Sequence, residues 1–307
     1  MTRLKLEHGY LSLILHAHLP YVRHPEYAFA LEEQWLNEAI TETYVPLLKM
    51  LEKLVEDGVD FRLAFTMSPS LVFMLRDPLL KSRYLNRLDT LIELSKQEMK
   101  RTEKDPAFRD LAAMYYSRFL GVRDAYANHY QKDLVEALKK FMELGKIEIL
   151  ASAATHAYLP LLSGVASSVR AQVSIGIRYY EEVFGRKPRG FWLPECGYYP
   201  GVEEVLKDFG IQFIVLETHG IIHADPRPKY SVYAPICCPC GIAALGRDPE
   251  SSRQVWSSLE GYPGDSDYRE FYRDVGYDFD LDYIGPYVHP DGIRLDTGIK
   301  YYRITGK

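Results

Sequence analysis

The stretch YLSLILHAHLP (residues 10–20) alternates, then runs apolar, and ends in two histidines before a proline. A short apolar run of that kind reads as a strand buried on both faces, which is the habit of parallel sheets. Side chains alternate along a strand, so His16 and His18 fall on one face of its C-terminal end. The same pattern recurs in FRLAFTMSPSL (61–71), IEILASAATHAYLP (147–160), RGFWLPECGY (189–198), IQFIVLETHGI (211–221) and IAALGRD (242–248).

Helical periodicity fills the intervals. LEEQWLNEAITETYVPLLKMLEKLVEDG (31–58) ends at a glycine, as helices often do, and Pro46 starts a second helix or kinks the first. Residues 77–145, rich in Leu, Lys, Glu and Arg, are too long for a crossover helix and predict an inserted helical hairpin or small subdomain after strand two. Ser167 or Ser168 is expected to cap a helix that runs through Phe184 and stops at Gly185. Shorter helices are expected over 200–209 and 249–259, and residues 261–307 show no clear period. Strands alternating with helices predict an α/β fold with a parallel sheet.

Polar residues gather where these strands end: His16, His18, Ser68, His156, Glu195, Glu217, His219, Arg247 and Asp248. Parallel barrels carry their active sites at that end, so the co-location argues for an enzyme. The 307 residues, 47% hydrophobic and 26% charged, give an ordinary globular composition with length for a sizeable core. With a net charge of -5 and no Lys/Arg-rich run, no nucleic-acid partner is expected. The early apolar run is too short for a signal peptide or a membrane span, so no membrane partner is expected and the cytoplasm is the expected location.

Four cysteines are present, three of them in CCPC (237–240). That motif holds a C-x-x-C spacing, but a structural zinc wants four ligands and no second pair occurs. The expected reading is a reduced, partly buried loop. Asp278, Asp280 and Asp282 alternate like a calcium loop but lack its glycine and distal glutamate, so a solvated loop is expected. No metal and no cofactor is expected.

Glu195 stands at the end of an apolar approach with Trp192 nearby. Apolar surroundings raise a carboxyl pKa, whereas neighbouring His or Arg hold the anion. A nucleophilic carboxylate must stay ionised, and the histidines and Arg247 favour that form. A strand-end glutamate in an internal ion pair is the structural alternative. Each of Trp35, Trp192 and Trp256 could line a sugar subsite or fill a core, and Trp192 is the best placed for a subsite.

The segments HAHLPYVRHPE, ATHAYLPLL and GFWLPECGYYPG, in that order, resemble the first three sequence regions of glycoside hydrolase family 57. GRDPESSRQVWSSLEGYPGD and YREFYRDVGYDFD resemble its glucan branching enzyme and AmyC-type α-amylase subgroup. The resemblance covers nearly the whole chain, from Gly9 to Lys307. It implies an incomplete (β/α)7 barrel, a retaining double displacement and α-glucan substrates, with branching enzyme activity favoured over α-amylase or 4-α-glucanotransferase. Carried over by motif, Glu195 matches the nucleophile. His16, His18 and His156 match residues around the sugar at the cleavage point. Trp35 and Trp192 match subsite aromatics, and Arg247 and Asp248 a strand-end pair.

One departure matters. Retaining chemistry needs two carboxylates about 5–5.5 Å apart. The family's acid/base aspartate belongs to a fourth motif at its seventh strand, and that motif is not found here. Six of seven strands are therefore expected, with the seventh strand and a helical C-terminal domain absent, and the 307-residue chain is expected to be at most feebly active. Glu217, Asp248 and Asp274 have no motif support as the missing acid. The loop over 230–241 follows strand five and could cover the pocket. Family branching enzymes place a tyrosine at its tip, where Cys237 and Cys238 are expected here, with Tyr233 nearby. Two other readings stay open: a metal-dependent carbohydrate deacetylase using His16, His18 and His156 as zinc ligands, and an inactive glucan-binding fragment.

Overall fold

The computed structural model describes residues 9–305. Its sheet comprises β1 (Ile14–Ala17), β2 (Leu63–Met67), β3 (Ile147–Ser152), β4 (Gly190–Trp192), β5 (Phe213–Leu216), β6 (Ile236–Cys237) and β7 (Ala243–Gly246). Their spatial order is β1-β2-β3-β4-β5-β7-β6. Every neighbouring pair is parallel except β6 with β7, which is antiparallel. The parallel strands therefore follow one another in chain order. A doubly wound sheet reverses its strand order at a switch point, whereas unreversed succession is the winding of a β/α barrel.

The six parallel strands lie where the sequence places them. β6 was not anticipated: it is two residues long and sits inside the segment read as a loop. The helices are α1 (Glu33–Glu38), α2 (Val45–Glu56), α3 (Pro69–Arg76), α4 (Pro78–Arg101), α5 (Pro106–Asp124), α6 (Leu134–Glu143), α7 (Leu159–Leu162), α8 (Ala166–Phe184), α9 (Val202–Asp208), α10 (Thr218–Ile222), α11 (Pro249–Trp256), α12 (Val275–Asp278) and α13 (Leu281–Ile284). Between α1 and α2 a wide π turn spans Ala39–Tyr44. Pro46 has no N–H to continue the α ladder, and the turn widens just before it. The serines expected to cap α8 do not: its N-cap is Val165, with no side-chain bond, while Gly185 closes it at φ 71° as expected. No helix among the described residues is long and apolar enough to cross a membrane.

The chain divides into two compact units. One comprises Met1–His18, Leu54–Leu71 and Lys139–Gly246; the other comprises Leu19–Lys53, Val72–Leu138 and Arg247–Lys307. All seven strands belong to the first. Strand register fixes which of its side chains share a face. His16 pairs with Thr66, Ser152 with Trp192, and Trp192 with Val215. Leu150, Trp192, Cys196 and Val215 form a buried cluster against which Ile14, Ala64 and Phe213 pack. Gly190 opens β4 because a Cβ there would lie 2.3 Å from the Phe213 ring.

In the second unit, α4 and α5 both begin Asp-Pro. Asp77 accepts from the Leu80 N–H at 3.0 Å and Asp105 from the Ala107 N–H at 3.0 Å. Each is a side-chain cap followed by a proline that needs no donor. Tyr84, Tyr115, Phe119 and Tyr126 fill the core there. Glu98 is wholly buried and accepts from Arg101, Tyr283 and Tyr301.

Candidate active site

β1 delivers His16 to the sheet's inner face, and the chain just beyond it delivers His18. Nδ1 of His16 is hydrogen-bonded to Thr66 Oγ1, and Nδ1 of His18 lies 2.8 Å from Ser68 Oγ. Beyond β3 the chain turns sharply, with the His156 N–H donating to the Ala153 carbonyl at 3.0 Å. Gln172 on α8 grips that turn, accepting from the Thr155 N–H at 3.0 Å and donating to Thr155 Oγ1 at 2.8 Å. His156 consequently sits at φ 56°, a left-handed conformation uncommon outside glycine. Its Nδ1 lies 3.2 Å from Ser152 Oγ.

The rings form one stack. His18 and His156 have centroids 3.7 Å apart at 19°, and His16 and His156 are 5.1 Å apart at 27°. His16 in turn lies 4.6 Å from Trp192 at 20°. His156 is 8% exposed. Burial first, then the neighbouring His18 and His16, push its pKa down to about 3. Burial lowers that of His18 as well. At neutral pH these two rings are uncharged hydrogen-bonding groups.

Glu195 follows β4 in a tight turn. The Cys196 N–H donates to the Leu193 carbonyl at 2.8 Å, with Pro194 second and Glu195 third in the turn. That third position holds φ 55° and ψ 25°, a conformation usually left to glycine or asparagine. Its neighbours Pro194 and Cys196 are buried, whereas the Glu195 side chain is 75% exposed. The fold thus pins the peptide by its flanks and stands the carboxylate clear, with Oε1 at 4.0 Å from His156 Nε2. An exposed anion on a rigid mount beside neutral imidazoles can act as a nucleophile or steady a developing positive charge.

Of the residues singled out from the sequence, the structure brings His16, His18, His156, Trp192 and Glu195 together in the first unit. Trp192 is 8% exposed and stacked on His16, so one face of its indole supports an imidazole. Trp35, Arg247 and Asp248 belong to the second unit. Trp35 lies on α1 and is 51% exposed. Arg247 is half-buried just past β7. Asp248 caps α11, accepting from the Ser251 N–H at 2.7 Å. Glu217 caps α10 through the Thr218 N–H, and Asp274 is buried, accepting from the Gly276 and Thr297 N–H groups. Each acid weighed as a second carboxylate therefore has a structural post.

Sequence reasoning missed Thr66 and Ser152, the hydroxyls behind His16 and His156. Their signal was phase: each lies on the same strand face as the site. The zinc-centre reading fails on geometry. Stacked imidazoles point their in-plane lone pairs along nearly parallel planes, not toward one tetrahedral point. Among the described residues, no group of three His, Cys, Asp or Glu side chains could hold a metal ion. The hairpin tip is also corrected. The Gly241 N–H donates to the Cys238 carbonyl at 2.8 Å, which puts Pro239 and Cys240 at the tip and Cys237 in β6.

Residues 12–283 match the family description Glycosyl hydrolase family 57. The chain is 33% identical over 295 residues to the 1,4-alpha-glucan branching enzyme TK1436 of Thermococcus kodakarensis, a match covering 86% of this chain and 42% of that protein. Its structure superposes on the alpha-amylase AmyC from Thermotoga maritima with TM-score 0.92 and 45% identity, covering 97% of this chain and 57% of that one. The GH57-type branching enzyme from Pyrococcus horikoshii gives 0.78 and 36%, covering 88% and 52%. The chain spans about half the length of these relatives. With the family matched over most of its length, and a seven-stranded, mostly parallel sheet to match, the protein belongs to glycosyl hydrolase family 57.

Proposed function

We propose that this chain acts on α-glucans by a retaining double displacement, with Glu195 as the nucleophile, and that its reaction is α-1,4-glucan branching. The observation that carries the reading is the mounting of Glu195: an exposed carboxylate held out of a left-handed turn, 4.0 Å from a buried neutral imidazole. A carboxylate oxygen attacks the anomeric carbon, the bond to the leaving sugar oxygen breaks, and a glycosyl ester forms. A 6-hydroxyl of a second glucan then attacks that carbon, loses its proton, and releases Glu195. His16 and His18 face the sugar's hydroxyls, and His156 backs them. Trp35, Arg247 and Asp248 serve substrate binding by their place in the family motifs. The acid that protonates the leaving oxygen is not assigned to a residue of this chain.

A second reading, α-amylase, has the 45% identity to AmyC in its favour. It shares the first step and differs in the second, where water attacks. The two are separated by the linkage of the products.

An activated donor tests the nucleophile without needing the acid, because fluoride departs unprotonated. Incubation with maltosyl fluoride is expected to add a maltosyl group to the peptide carrying Glu195, read by mass spectrometry. Glu195→Gln is expected to abolish the label. A label on another residue, or one that survives in Glu195→Gln, overturns the assignment. With a maltooligosaccharide acceptor present, new α-1,6 linkages support branching, and free maltose alone supports hydrolysis.

A further inference from the structure

The hydroxyl of Ser152 stands between two groups that would each take its single proton. Its Oγ lies 3.0 Å from the main-chain carbonyl oxygen of Trp192 and 3.2 Å from Nδ1 of His156. A carbonyl oxygen can only accept, so the hydroxyl donates to Trp192 and turns its lone pairs to the imidazole. The bond to His156 then exists only if Nδ1 carries the ring proton. Ser152 is fully buried, so water does not compete for either bond. Its position is fixed from two sides. Register pairs it with Trp192 across β3 and β4. Gly176 lets α8 approach so closely that a Cβ there would lie 2.1 Å from the Ser152 carbonyl oxygen.

We infer that Ser152 is a positioning residue: it holds neutral His156 as the Nδ1–H tautomer and leaves Nε2 as a bare acceptor turned toward Glu195. Nε2 is buried with no hydrogen-bond partner, 4.0 Å from Oε1 of Glu195. Two acceptors face each other across that gap, and neither can satisfy the other. The opposite tautomer would put an N–H there, and a small ring movement would bond it to the carboxylate. A carboxylate held in that way is a weaker nucleophile, so the tautomer keeps Glu195 reactive. This last consequence rests on the proposed function; the tautomer itself rests on Ser152 and Trp192 alone.

Long-range ¹H–¹⁵N correlation spectra of the ¹⁵N-histidine-labelled chain distinguish a protonated ring nitrogen from a bare one. His156 signals are assigned by their loss in His156→Asn. At neutral pH the expected result is a protonated Nδ1 and a bare Nε2, with Ser152→Ala shifting the major population to a protonated Nε2. A bare Nδ1 in the wild-type chain, or an unchanged pattern in Ser152→Ala, overturns the inference. Labelling of Glu195 by maltosyl fluoride is expected to slow roughly tenfold in Ser152→Ala. An unchanged labelling rate together with a switched tautomer would overturn the positioning role. No labelling of the wild-type chain would count against the nucleophile, while the spectra still decide the tautomer.

Discussion

Nε2 of His156 lies 4.0 Å from Oε1 of Glu195, and both residues hold left-handed backbone, at φ 56° and 55°. The next residue, Cys196, does so too, at 52°. Each such non-glycine residue costs about 1–2 kcal/mol, and strain of this kind concentrates where function needs an unusual geometry. Here the strain has an identifiable product: two side chains aimed at each other from the ends of neighbouring strands.

The strain at position 195 predicts an order of stability. Asparagine tolerates left-handed backbone better than glutamine, and both replacements remove the charge. Glu195→Asn is expected to be more stable than Glu195→Gln by about 0.5–1 kcal/mol, with neither variant taking the maltosyl label. Urea titration reads the difference. Equal midpoints would mean that the turn is unstrained.

Acid should weaken the first unit through His156. The folded ring is held down to about 3, against 6.5 for a free imidazole side chain. Between those values the unfolded chain binds a proton that the folded chain refuses, so protons favour unfolding. Stability from this group is complete above about pH 6.5 and falls as the pH drops toward 3, by up to about 1.4 kcal/mol per pH unit. In His156→Asn that part of the slope should vanish. Thermal midpoints of both chains between pH 4 and 7 check it, and parallel slopes would refute it.

Gly176→Ala should damage fold and chemistry together. The added methyl meets the Ser152 carbonyl at 2.1 Å, and backbone cannot step aside as a flexible side chain can. A loss of about 1–3 kcal/mol is expected from the overpacking, and slower labelling of Glu195 because Ser152 is the atom group displaced. A stable variant with unimpaired labelling would show that α8 can retreat without cost to the site.

Alkylation should discriminate among the hairpin cysteines. Cys237 is exposed. Burial first, then Glu203, pushes the Cys238 thiol up to about 11. Only the thiolate reacts, so at pH 8 iodoacetamide should modify Cys237 at least about tenfold faster than Cys238. Glu203→Gln should narrow the gap. Peptide mass spectrometry gives both rates, and equal rates would contradict the shielding of Cys238.

The parallel strands and the histidine pair were legible because strand alternation and apolar runs are written directly in residue type. The turns at His156 and Glu195 were not. Left-handed backbone announces itself through glycine, and here the chain places a histidine and a glutamate in that conformation, held by Gln172 and by buried flanking residues. Thr66 and Ser152 were passed over because a hydroxyl within a strand looks like filler until register sets it beside an imidazole. Trp192 was legible as a neighbour of Glu195 but not as buried, since sequence distance does not tell which face of a ring another ring covers. β6 escaped because two residues are too few to show a period.

The two sides of the sheet end differently. Among the described residues β1 pairs with β2 alone, and Leu11, Leu13 and Leu15 beside that edge are 83%, 51% and 40% exposed. The other edge is β6, only two residues long. Short strands make poor templates, whereas a longer apolar edge invites another strand. Among the described residues, strand addition is therefore favoured at the β1 edge over the β6 edge, and that asymmetry gives the sheet one preferred side for accepting a further strand.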